Sequence, residues 1–406
     1  MGAAPPGPAP VPAHGRLVRR TQHEVPRAGG ASHYTTLANG PFTGFLAGFS
    51  MPAAGVVSVA APARGFAGDY LSAFVSLPVV AVAAVFLCLL ALLNARGISE
   101  STRANVAATL VEVGGLLLVI GLGVRLFLRG DGDPGRLVHL GTADSGAAAG
   151  VLSGTVLAYY SFVGFETSVN VAEETRDPRR SYPRALFGAL VTAGAVYVLV
   201  GIVASAAVPT GRPAAFSGPL LEVVREAGGV PPKVFSAIAL VAVADGALLT
   251  GIMSSRLAFG MARDGLLPRF LTRVLPGRRT PWASTAVTTA LSFLPALTGD
   301  VATLASTLVL LLLVVFFLVD TAVLVQRRDR TTRPHFRAYT VVPVLGAASC
   351  VAPATRVDGD VRVRGLIVLA VGLVLGAVAT VHRRRDAGDQ AGRPVGEPAG
   401  EPADGA

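Results

Sequence analysis

The groups best placed to do chemistry in this sequence sit where a simple apolar segment would not carry them. Tyr159-Tyr160-Ser161-Phe162-Val163-Gly164-Phe165-Glu166 lies in the middle of an apolar stretch. It leads into Glu173-Glu174-Thr175-Arg176-Asp177-Pro178-Arg179-Arg180-Ser181-Tyr182-Pro183. A membrane-spanning helix gains nothing from a central glycine, a carboxylate and clustered hydroxyls, and keeps them where the segment is a site. If Ser161–Gly164 leave helical geometry, their amides and carbonyls lose their helical partners. In lipid that is tolerated only where the backbone lines a cavity or a ligand. A helix broken there offers an N-terminal half-dipole to a carboxylate and open carbonyls to an amine, which suits a zwitterion. The competing reading is a glycine at a close helix crossing.

Three more carboxylates stand alone in apolar surroundings: Glu112, Asp245 and Asp320. A lone acid in a spanning helix is costly and usually functional. Glu112 in Leu110-Val111-Glu112-Val113-Gly114-Gly115 has the character of a proton carrier, with a hydrogen bond tying two helices as the alternative. Asp245 and Asp320 read first as interhelix hydrogen-bonding groups and second as coupling residues. Gly40, Gly44 and Gly48 recur every four residues and form a stripe for close helix packing. Cys88 and Cys350 both fall in apolar segments and are expected to be buried free thiols, not a disulfide. No phosphate loop, HExxH or Cys/His cluster occurs, and the 6 histidines are scattered. No metal, cofactor or intramembrane catalytic pair is indicated, which counts against an enzyme.

These groups must be held by helices in a bilayer. The chain has 52% hydrophobic and 15% charged residues, against about 25% charged in soluble domains, and a mean hydropathy of +0.58. The predicted class is therefore an all-α polytopic membrane protein. The length leaves room for about ten spans, which fall at Tyr34–Ala61, Ser72–Asn94, Asn105–Leu128, Ala147–Val171, Ala185–Val208, Val234–Met261, Ala283–Leu297, Val301–Val325, Val341–Ala352 and Gly365–Val381. The net charge of +10 does not point to nucleic acid, because the arginines lie in short loops between apolar segments. With a cytoplasmic N-terminus, 25 of the 35 Lys and Arg fall on the inner side and 10 on the outer, counting Arg256 with the inner and Arg125 with the outer group. Both termini are then cytoplasmic by the positive-inside rule. Met1–His14 has no apolar core of a signal peptide, and Asp386–Ala406 reads as a disordered tail. Residues 1–33 form a cytoplasmic segment, 34–382 the membrane domain and 383–406 the cytoplasmic tail.

The segment from Tyr159 to Pro183 closely resembles the sixth helix and following loop of the amino acid–polyamine–organocation permeases. Three further segments extend the resemblance. Val25–Ala31 with Asn39-Gly40-Pro41-Phe42 is similar to the entry into the family's third helix. The segment around Glu112 is similar to the fifth. Ser254-Ser255-Arg256-Leu257-Ala258-Phe259-Gly260-Met261-Ala262-Arg263-Asp264-Gly265-Leu266-Leu267-Pro268 is similar to the eighth. Residues from about Val25 to His382 match in order. The resemblance implies a LeuT-type fold of two inverted five-helix repeats, and a secondary transporter of amino acids or related amines in the plasma membrane, working as a proton-coupled symporter or as an antiporter. It implies that Tyr160 lies over the substrate as an inner gate, that the backbone of Ser161 and Val163 lines the pocket, and that Gly164 is the break. Glu166 would face the substrate side chain and favour a cationic or polar one, or else make a structural hydrogen bond. Glu112 would carry the coupled proton. Ser254 and Ser255 would sit where sodium-dependent relatives hold a cation, or else cap backbone. The match begins just before the family's third helix, so the first two are expected to be absent. The alternative function is a non-transporting membrane protein, a relic or a sensor, on the same scaffold.

Overall fold

The computed structural model describes residues 30–96, 101–138, 146–165, 178–208, 218–278, 280–326 and 339–391, and every regular element among them is helical. The order is α1 (Gly30–Asn39), α2 (Pro41–Gly65), α3 (Val79–Arg96), α4 (Ser101–Leu128), α5 (Ala147–Tyr160), α6 (Pro178–Ala207), α7 (Pro219–Ala227), α8 (Pro232–Arg263), α9 (Trp282–Thr298), α10 (Val301–Gln326), α11 (Val341–Ala354) and α12 (Gly359–Ala391). A backbone in lipid has no water to bond, so helices that satisfy their own amides are the expected solution. Six helical segments are long and apolar enough to cross a bilayer: Pro41–Tyr70, Val79–Arg96, Asn105–Leu128, Ser181–Ala207, Pro232–Arg263 and Val301–Gln326. The other four expected spans each contain a helix, and Ala147–Val171 is helical only as far as Tyr160 among its described residues. Three of them, α5, α9 and α11, have only 14, 17 and 14 residues.

The bundle is organised around α2. Ala54, Val57, Ala60 and Ala61 pack against Phe86 and Leu87 of α3, Ala247 of α8, Ala296 of α9 and Leu304, Leu308 and Leu311 of α10. Alanines let the neighbouring backbones approach, which is how helices associate where lipid removes the usual hydrophobic drive. The end of α2 runs into a π-type turn, Phe66–Tyr70, and the Phe66 ring stacks on Phe86 with centroids 4.3 Å apart. A second cluster joins Val119, Leu122 and Leu126 of α4 to Val203 of α6, Leu221 and Val224 of α7 and Phe235 of α8. A third joins Val156 of α5 to Val309 and Leu313 of α10 and Cys350 of α11.

Four expectations need correction. The segment Tyr34–Ala61 is not one helix: Gly40, at φ 93° and ψ 171°, separates α1 from α2, and Pro41 opens α2. Pro41 has no N–H to lose at a helix start, and Gly40 supplies a backbone that other residues resist. α1 lies tightly against α2, with Ser32 Oγ donating to Gly44 O at 2.9 Å. A Cβ on Gly44 would stand 1.7 Å from Thr36 Oγ1. Gly44 and Gly48 are therefore the floor on which α1 rests, meeting Thr36 and Ser32, while Gly40 forms the turn between the two helices. The segment after residue 208 contains a further helix, α7, whose apolar face is buried while Glu222 and Arg225 pair one turn apart. Cys88 is exposed and Cys350 buried, because the apolar surface of α3 turns outward as well as inward. Finally, α12 continues to Ala391, so residues 386–391 are helical and not the start of a disordered tail. Its basic run at Arg383–Arg385 is compatible with a helix and lies well into its C-terminal half.

Candidate functional site

α5 stops at Tyr160, after about 21 Å of helix at 1.5 Å per residue, short of the ~30 Å hydrocarbon core of a bilayer. The chain then tightens. Ser161 N, Phe162 N and Val163 N donate to the carbonyls of Ala158, Tyr159 and Tyr160, each at 3.1 Å. Gly164 follows at φ 120°, and nothing described lies within 4 Å of where its Cβ would be. The helix breaks at the residues whose types suggested it. The close-crossing alternative finds no support at Gly164 among the described residues, none of which comes within 4 Å of an added Cβ.

The break faces a cleft of about 390 Å³, within the usual range for small-ligand pockets. Ser161, Phe162, Val163 and Phe165 form one wall, and the face of α6 from Tyr182 to Tyr197 forms the other. Two aromatic contacts hold the first wall. The Phe162 ring meets Tyr197 edge-on, with centroids 5.2 Å apart at 81°, and Phe165 stacks on Phe316 of α10 at 5.6 Å. Such pairs fix ring orientation beyond what burial alone does.

The expected site residues divide into separate places. Ser161 is exposed and Val163 half-buried in the cleft wall. Tyr160 does not line the cleft; it packs between the cluster around α2 and the cluster at α10 and α11. Glu166 and the following residues to 177 lie outside the described residues. Glu112 is exposed on α4 and lies within electrostatic reach of Asp245 on α8 and of Tyr197 on α6. Tyr197 thus lines the cleft and also lies within electrostatic reach of Glu112. Asp320 packs against α11, where its Oδ2 lies 2.5 Å from the place a Cβ on Gly346 would occupy.

Ser254 and Ser255 are elsewhere, in the crossing of α2, α3, α8 and α9. Ser254 Oγ donates to Pro52 O at 3.1 Å. Ser255 Oγ donates to Ile252 O at 2.9 Å and accepts from Asn94 Nδ2 at 3.2 Å. Beside them is a chamber of about 20 Å³, also lined by Thr288 and Ser292 of α9. It has room for about one water, and no carboxylate lines it. Among the described residues, no three or more His, Cys, Asp or Glu side chains converge on a metal position.

Sequence reasoning missed the α6 wall. Its signal was present as Ala185, Ala189 and Ala193, spaced by four and so aligned on one helix face, with Tyr182 and Tyr197 at its ends.

Residues 21–357 match the family model described as amino acid permease. The chain belongs to the amino acid permease family. An uncharacterized transporter of Mycobacterium tuberculosis strain H37Rv is 31% identical over 91% of this chain and 82% of its own length. The low-affinity putrescine importer of Escherichia coli K12 is 28% identical over 90% of this chain and 82% of its own. A branched-chain amino acid permease of Bacillus subtilis strain 168 is 26% identical over 86% and 79%. This permease is thus a multi-pass membrane transporter and not an enzyme.

Proposed function

We propose that this permease carries an amino acid or a related small amine across the plasma membrane, coupled to protons or by exchange, with both termini cytoplasmic and the helices arranged as a LeuT-type five-plus-five repeat. The observation that carries the reading is the end of α5 at Tyr160 together with the open turn Ser161–Gly164 on a ligand-sized cleft. The hydroxyls of Ser161 and Tyr197 on this cleft are polar groups that the ends of a zwitterion can meet. Family membership supports it, as do relatives named for amino acid and putrescine transport. Glu112 is the proposed proton carrier, a carboxylate in a spanning helix with Asp245 of α8 within electrostatic reach. Tyr197 of the cleft lies within electrostatic reach of Glu112, which supports a link between the two.

The test is uptake into vesicles reconstituted with the full chain, using radiolabelled amino acids and putrescine with and without an inward proton gradient. Saturable uptake that Gly164→Leu removes, with the variant still inserted, is expected. Absence of uptake and of exchange for every substrate overturns the proposal in favour of a scaffold that does not transport.

A further inference from the structure

We propose that the cleft between the broken segment and α6 selects an uncharged, apolar substrate side chain, aliphatic or aromatic, and that Ala185, Ala189 and Ala193 set the size it accepts. This rests on the transport reading above and narrows its substrate class.

Three observations converge. First, the described lining contains no charged residue. Its polar side-chain groups are the hydroxyls of Ser161, Tyr182 and Tyr197, none of which offers a charge to pair with a cation. A cationic side chain laid against this lining would find no carboxylate among the described residues, whereas an apolar one would meet hydrocarbon. Glu112 is not among the residues that line the cleft.

Second, the α6 wall alternates between two stripes. Ala185, Ala189 and Ala193 stand in one row and Leu186 and Leu190 in the next, and all of them line the cleft. Residues four apart on a helix stack on the same face. The alanine row is a recess and the leucine row an apolar ridge beside it, a surface that grips hydrocarbon by contact and shape alone. Third, the opposing aromatic wall is held in place. Phe162 is pinned edge-on by Tyr197, and Phe165 is stacked on Phe316. A fixed wall facing an alanine recess limits the size of what enters, since a rigid apolar pocket discriminates by volume.

Vesicles containing the full chain would be loaded with labelled leucine, phenylalanine, alanine, arginine and putrescine in turn. Leucine and phenylalanine should be carried at least about tenfold more efficiently than arginine and putrescine, judged by uptake rate over half-saturating concentration. Ala189→Phe should lower phenylalanine uptake by about tenfold or more while alanine uptake stays within about threefold. Val191→Phe, a comparable enlargement at an exposed position of α6 outside the cleft lining, should leave phenylalanine uptake intact and so guards against a folding artefact. Arginine or putrescine carried as well as leucine overturns this inference and leaves the transport reading standing. Uptake of none of the five overturns both. An Ala189→Phe variant that loses alanine and phenylalanine uptake alike, while inserted normally, removes the size-setting role.

Discussion

Gly164 allows the backbone cost of the break to be separated from the space that a ligand needs. Its φ of 120° is a conformation that L-residues resist, yet nothing described lies within 4 Å of an added Cβ. A side chain here therefore meets a conformational penalty but no clash within the protein. That penalty is about 1–3 kcal/mol for a residue held in such a region, or roughly 5- to 150-fold in the population of the broken conformer. It falls on Ala and Leu alike. The difference between them is the volume added to the open space beside Gly164, whose neighbours Val163 and Phe165 line the cleft. Gly164→Ala and Gly164→Leu should lower the melting temperature of the detergent-solubilised protein by similar amounts. Substrate affinity, read by scintillation proximity binding, should fall moderately for Ala and become undetectable for Leu. If Ala matches the native protein in both stability and binding, the break does not depend on glycine. If Leu binds as well as Ala, the open space beside Gly164 does not belong to the ligand.

Four further outcomes follow from particular contacts. Asp300 precedes α10 and accepts from the Thr303 amide and hydroxyl, each at 2.8 Å. Burial alone would raise its pKa, but these hydrogen bonds outweigh that and hold the carboxyl below the usual range. Its contribution is thus fully present above the ordinary Asp pKa of about 3.9 and is lost as pH falls through the lower folded value. Asp300→Ala should cost about 1 kcal/mol at neutral pH, and less in a denaturation series carried well below pH 4. Gly44→Val should cost roughly 1–3 kcal/mol by overpacking, because Thr36 fills the site on α1; unchanged thermal stability would show that α1 is not seated on α2. Reporter fusions at Asp133 and Arg180 should lie on opposite sides of the membrane, and a shared side would refute the proposed orientation. Glu112→Gln should abolish proton-driven accumulation in vesicles while substrate exchange survives; normal accumulation would exclude Glu112 as the proton carrier.

The break after Tyr160 was legible because glycine and hydroxyls are out of place in an apolar span, and that anomaly is local. The membrane class was legible for the same reason, since composition alone separates it from a soluble chain. What lay across the cleft was not. The partnership of Tyr197 with Phe162, and the position of Tyr160 in the core, depend on how α5, α6 and α10 pack, and no spacing within one helix encodes that. The separation of α1 from α2 was misread because apolar content runs unbroken through residues 34–61. Asn39-Gly40-Pro41 is a turn signature that periodicity ignores. α7 was missed because nine residues are too few for a helical period to stand out. The exposure of Cys88 could not be read either, since a helix facing lipid is as apolar outside as within.

The most direct test of the central claim is alkylation of a single cysteine at the break. In a background of Cys88→Ser and Cys350→Ser, Ser161→Cys would be treated with a membrane-impermeant maleimide in inside-out and right-side-out vesicles. The site proposed here predicts labelling through water in at least one orientation, slowed by saturating transported amino acid. A cysteine that labels at the same rate with and without substrate would contradict it, and so would one that never labels in a correctly inserted protein.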